Sequence, residues 1–124
     1  MQRSKLVLVI FGISSIILLA GLAYFIGEYE KPVTRKDGAL YMMSSLSELL
    51  EIHILENGAY PTVEQGLNSL VQLKQTKYKN IKILLNDPWG EKFHYDTFSD
   101  AGRNCYFIWS KHLGKSEGIT NCRK

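Results

Sequence analysis

Charge is missing from a long run near the start of the chain: residues 6–27 contain no Asp, Glu, Lys or Arg. A run of that kind cannot form the solvated face of a soluble domain. It exceeds the roughly 20 apolar residues that cross a bilayer core. Cysteine is scarce, with Cys105 and Cys122 both near the far end of the 124-residue chain. The histidines, His53, His94 and His112, lack metal-ligand spacing, which argues against a zinc centre. The net charge of +3 comes from lysines and arginines scattered among carboxylates, so no basic stripe for nucleic acid exists. There is no phosphate loop, nucleophile elbow, internal repeat or low-complexity segment. Beyond the apolar run, about a hundred residues are left, enough for one small domain with a modest core.

What is present divides the chain. Arg3 and Lys5 precede the apolar run with no acidic residue before them, and Glu28, Glu30 and Lys31 follow it. Positive charge on the short N-terminal side predicts residues 1–5 in the cytoplasm, a membrane helix over 6–27, and everything later on the far side. A cleaved signal peptide, cut after Ala23, is the rival, since Gly21 and Ala23 suit the small-residue positions. The apolar stretch, however, continues through Tyr24, Phe25 and Ile26. In a translocated domain, an even pair of cysteines reads as a disulfide. Closing Cys105 to Cys122 would contribute around 3 kcal/mol on the chain-entropy estimate. A catalytic Cys105 with His112 as base is the sharper alternative, but no known motif surrounds either residue.

Residues 28–38 form a polar linker interrupted by Pro32 and Gly38, which predicts a bend there, and the head is expected over 39–124. Ala39, Met42, Met43, Leu46, Leu49, Leu50 and Ile54 recur at helical spacing, with Ser44, Ser47, Glu48, Glu51 and Glu56 on the other side. Asn57-Gly58 is a helix stop. The stripe suits packing on the domain's own sheet better than a ligand groove built from Met42 and Met43. Thr62 and Gln65 have capping-box spacing and predict a short helix burying Leu67, Leu70 and Val71. Residues 74–82 are basic and read as a solvated loop. Asn86-Asp87-Pro88-Trp89-Gly90 is a turn. Alternation then predicts a strand over 91–97, a turn over 99–104, an aromatic strand over 105–110 and a short strand near 118–121. Asp96 and Asp100 flank that hairpin turn, where aspartate is common for its own backbone bonds, so they do not read as an acidic catalytic pair. The fold class is α+β: a transmembrane helix, then an amphipathic helix across a small antiparallel sheet.

Two of these segments are familiar together. Tyr60-Pro61-Thr62-Val63-Glu64-Gln65-Gly66-Leu67 after an amphipathic helix, then Asp87-Pro88-Trp89-Gly90 leading into an aromatic strand, resembles the major pseudopilin family of type II secretion, general secretion pathway protein G. The resemblance spans roughly residues 40–110 in order and spacing. It implies a pilin-like fold and a structural component of a type II secretion system, not an enzyme. It also implies a single-pass protein of the bacterial inner membrane with a periplasmic head. The implied partners are the lipid bilayer, other pseudopilins or inner-membrane secretion components, and copies of itself.

The chain departs from the family pattern twice. Family members carry a glycine-aromatic-glutamate sequence at a leader cleavage site, whereas here no carboxylate precedes Glu28. A carboxylate within a bilayer is expensive and is kept to pair with a cation. Its absence leaves open an alternative, a membrane-tethered periplasmic binding module that keeps the fold without assembling into a pseudopilus. The second departure is in the final loop, where the family binds calcium. Residues 111–124 offer Glu117 alone as an acidic ligand, so the expectation is that the calcium site is lost and no cofactor is held.

Overall fold

In a computed structural model, residues 2–27 and 33–122 are described, and they form two separate compact units divided after Pro32. The first contains helix α1, Gln2–Gly27. Its stretch Gln2–Tyr24 is 23 residues long and apolar enough to cross a membrane, with none of it buried. At ~1.5 Å per residue that stretch is about 34 Å long, matching a bilayer's hydrocarbon core. The bend expected at Pro32 lies outside the described residues.

The head opens with α2, Arg35–Asn57, four residues earlier than the apolar pattern suggests. The reason is a local cap that the linker reading passed over. Thr34 Oγ1 accepts from the Asp37 amide at 3.1 Å, and Asp37 Oδ2 accepts from the Thr34 amide at 3.1 Å. Gly38 thus lies in the first turn, not in a break, and a Cβ there would stand 3.4 Å from Pro88 Cγ. The helix ends as expected, with Gly58 left-handed at φ 80 and its amide on Ile54 O.

The sheet has order β1-β2-β3, from β1 (His94–Asp100), β2 (Arg103–Trp109) and β3 (Ile119–Thr120). Both pairings are antiparallel. The register places Tyr95 opposite Ile108 and Ile108 opposite Ile119, and these residues pack on the core. Asp96, Phe107 and Thr120 line up on the other face. The turn is tighter than the expected loop over 99–104. Only Ala101 and Gly102 lie between the strands, both with positive φ, 50 and 78. Two positive φ values fit a type I′ hairpin turn, whose twist matches the strands. β1 also starts later than expected, because Phe93 and Lys92 first bind back to Leu85 and Asn86.

Met43, Leu46, Leu49 and Leu50 of α2 bury against Tyr106 and Ile108 of β2. Each fully buried aliphatic side chain contributes roughly 1.5–3 kcal/mol. The core closes with segments read differently from the sequence. Leu67 and Leu70 are buried as expected, but in a 3-10 helix, Leu67–Gln72, from which Val71 points outward. The basic stretch is not simply a solvated loop. It runs into a second 3-10 helix, Ile81–Leu85, which buries Ile81 and Leu84. Ala101 is the only described non-glycine residue with positive φ. Ala101→Gly should therefore stabilise the head by roughly 0.5–1 kcal/mol, read as a higher melting temperature. An unchanged or lower value would show that the turn is unstrained.

Candidate functional site

The two motif segments lie at opposite ends of α2. Tyr60 follows the α2 stop, and Pro88 packs beside Gly38 at its start. Each forms a polar knot. In the first, Thr62 and Gln65 make the expected reciprocal pair, with the Gln65 amide on Thr62 Oγ1 at 3.2 Å and the Thr62 amide on Gln65 Oε1 at 3.0 Å. It does not open a regular helix. The Gly66 amide bonds Thr62 O at 2.8 Å, and Gly66, at a positive φ of 61, ends the turn before the 3-10 helix begins. Glu64 is exposed in this turn.

Three tyrosines bind this segment to helix and sheet. Tyr60 meets the Tyr106 ring edge-on at 5.1 Å and donates its hydroxyl to Glu51 at 2.9 Å. Tyr95 donates to Pro61 O at 2.7 Å. Tyr106 shares a hydroxyl hydrogen bond with Ser47 of α2. Asn121 completes the knot. Its Oδ1 accepts from the Tyr106 amide at 2.8 Å, while its Nδ2 donates to Asn104 O at 3.1 Å and Tyr60 Oη at 3.3 Å. Burial, then the adjacent Glu51 carboxylate, pushes the Tyr60 hydroxyl up to about 12. Burial also raises Tyr95 and Tyr106, with Ser47 pulling Tyr106 partly back.

The second knot centres on the buried Asp87 carboxylate. Oδ1 accepts from the Trp89 and Glu91 amides at 3.1 and 2.9 Å, and Oδ2 accepts from Ser110 Oγ at 2.8 Å. Gly90, at φ 87, donates its amide to Asp87 O at 2.9 Å. Ser110, which makes that bond, follows directly on the end of β2 at Trp109.

Cys105 and Cys122 form a disulfide with Cα atoms 5.7 Å apart. Cys105 is therefore not a free nucleophile, and the catalytic alternative pairing it with His112 is set aside. The histidines stay apart in separate contacts. His53 Nδ1 lies 2.7 Å from Ala59 O, His94 stacks on Trp109, and His112 stacks on Trp89 beside Glu91. Asp96 accepts from the Thr97 amide and Asp100 from Arg103, as turn-flanking aspartates do. They line a shallow groove of about 470 Å³ on the outer sheet face, with Phe98, Phe107, Thr120 and Cys122. Met42 and Met43 belong to the core, not to a groove.

Ser47 and Asn121 carry much of this arrangement, and the sequence reading missed both. The sequence puts Ser47 among the polar residues opposite the stripe, yet it stands four residues after Met43 and three before Leu50, a spacing that brings it to the stripe's edge and onto Tyr106. Asn121 had no such signal, since its partners lie across the fold.

These features define an α+β pilin-like head following an apolar N-terminal helix. Residues 29–119 match the family model for type II secretion system (T2SS), protein G. The chain is similar to the type II secretion system core protein G of Vibrio cholerae, 33% identical over 103 residues, spanning 77% of this chain and 67% of the relative. The Escherichia coli K12 protein of the same name is 32% identical, spanning 93% of this chain and 83% of the relative. With the Aeromonas hydrophila protein, at 34% identity, the match spans 70% of this chain and 63% of the relative. The chain belongs to the type II secretion system protein G family.

Two measurements probe the site. Gly118 has an ordinary φ of −71, but a Cβ there would fall 2.5 Å from Phe107 Cε2 and 2.8 Å from Ile108 O. Gly118→Ala should therefore destabilise the head by roughly 1–3 kcal/mol in a thermal or urea melt, and a neutral result would mean the loop does not lie this close to β2. The raised hydroxyl of Tyr60 favours its neutral form in the folded state. Its contribution is full below the ordinary value of 10 and is lost as pH climbs to about 12. An alkaline titration of tyrosinate absorbance should show Tyr60, Tyr95 and Tyr106 ionising only together with unfolding. Ionisation of these three near the ordinary value of 10 in folded protein would contradict the knot.

Proposed function

We propose that the protein is a pseudopilin-like structural component of a type II protein secretion system, acting by helix packing and head contacts without turnover. The observation carrying this reading is an apolar helix, Gln2–Tyr24, with no side chain buried, in a chain whose head matches the protein G family. Exposed apolar surface of that length needs lipid or other apolar helices around it. Arg3 and Lys5 before the helix support a cytoplasmic N-terminus, and the disulfide suits an oxidising periplasm for the head. The partners are the bilayer, neighbouring pseudopilins or inner-membrane secretion components, and copies of the same chain. The relatives' shared name, core protein G of the secretion system, favours this over the lone binding module that the missing carboxylate before Glu28 suggests.

In-cell crosslinking separates the two. Single cysteines at Ile10, Ile13, Ile17 and Leu22 should give crosslinks to neighbouring pseudopilin helices when the secretion system is expressed. A protein that accumulates normally in the membrane yet gives no crosslink at any position is a lone tether, and the assembly reading then fails.

A further inference from the structure

We infer that the C-terminal loop of this protein is closed by oxidation of Cys105 and Cys122, with Asn121 as a second clasp, and not by a calcium ion. The inference rests on the family reading, because the resemblance implies an ion in this loop. Calcium takes about 6–8 oxygen ligands, several of them carboxylates. Between Lys111 and Cys122 the carboxylate available is Glu117, and its Oε1 is taken by Lys36 Nζ of α2 at 2.9 Å. Lys111 and Lys115 add positive charge to the same loop. Several carbonyls that could replace acids already accept an amide hydrogen bond within the loop. Ser110 O accepts from Gly114, Gly114 O from Glu117, and Lys115 O from Gly118. Among the described residues no group of three or more His, Cys, Asp or Glu side chains stands ready for a metal. The donor set does not fit the ion.

Other contacts hold the loop. At its middle, Gly118 lies under the Phe107 ring, and β3 pairs Ile119 with Ile108 and Thr120 with Phe107. A two-residue strand is too short to hold its own register. At its end, Asn121 bonds the Tyr106 amide and the Asn104 carbonyl, and the next residue is the bridged Cys122. The bridge spans 17 residues of sequence, and both cysteines are buried, at 1% and 4% exposure. Asn121 and the bridge thus pin the loop to β2 on consecutive residues.

The chemistry is thiol–disulfide exchange with a protein disulfide of the oxidising compartment. One cysteine thiolate attacks that disulfide and forms a mixed disulfide, releasing one of the oxidant's thiols. The second cysteine then attacks the first, forming the Cys105–Cys122 bond and releasing the oxidant as its dithiol. Two electrons and two protons leave the chain's thiols and reduce the oxidant. No metal enters the balance.

The test uses the full chain in detergent micelles, with melting followed by circular dichroism. Adding EGTA or calcium to oxidised protein should move the melting temperature by less than about 1 °C. Reduction with alkylation, or the Cys105→Ser/Cys122→Ser pair, should lower it by about 10 °C or more. Asn121→Ala in oxidised protein should lower it less. Stabilisation by calcium comparable to that of the bridge, or an unchanged melt on reduction, overturns the inference. If the double variant does not accumulate, hydrogen exchange at Ile119 and Thr120 in oxidised wild type decides. Protection unaffected by EGTA supports covalent closure, and protection lost on chelation refutes it. Neither readout involves secretion or helix crosslinking, so this inference and the assembly reading can fail independently.

Discussion

The head depends on one contact, the burial of the α2 stripe against the inner face of β2. Leu46, Leu49 and Leu50 have no exposed surface, and neither does Ile108 opposite them. A three-stranded sheet whose last strand has two residues cannot stand alone. A 23-residue amphipathic helix in water is likewise marginal without packing. Each element supplies the apolar surface that the other lacks, and the 3-10 segments at Leu67–Gln72 and Ile81–Leu85 seal the sides.

Polar groups then decide where everything else attaches. The Asp87 carboxylate fixes the turn near one end of α2, and the Tyr60, Tyr95 and Tyr106 hydroxyls fix the segment after the other end. Among the described residues, every buried side-chain nitrogen or oxygen has a partner. An unmatched buried polar group costs roughly 1–3 kcal/mol, so these knots select one arrangement from those the apolar core alone would accept. The two family motifs are therefore understandable as fastening points. Proline, glycine and aspartate occur where the chain turns, and aromatic residues occur where it is tied down.

Much of this was legible because it is periodic or local. The α2 stripe, the Asn57-Gly58 stop, the Thr62 and Gln65 pair and the Asp87 turn depend on neighbours a few residues away. The misjudged boundaries have physical reasons. Gly38 reads as a helix breaker, yet the Thr34 and Asp37 cap outweighs it, with Asp37 held below the usual carboxylate range by Thr34. The short helices after Gly66 and Asn80 follow from tertiary burial of Leu70, Ile81 and Leu84, which no local rule specifies. The turn at Ala101 places an alanine where glycine or asparagine is usual, so the sequence suggested a looser loop. Asn121 joins residues 15 and 17 positions back, and only the closed fold reveals it.

The Thr34 cap also bears on the order of events as the chain emerges during synthesis. Because α2 has its own beginning, it can take shape as soon as its first residues emerge, without borrowing order from the helix before it. The tyrosine segment and the hairpin follow in chain order, and Cys122 emerges behind its partner and behind nearly every group it helps to hold. The covalent link is thus a final latch on a head already largely assembled, and an immature head would be recognisable by its free thiols rather than by missing secondary structure.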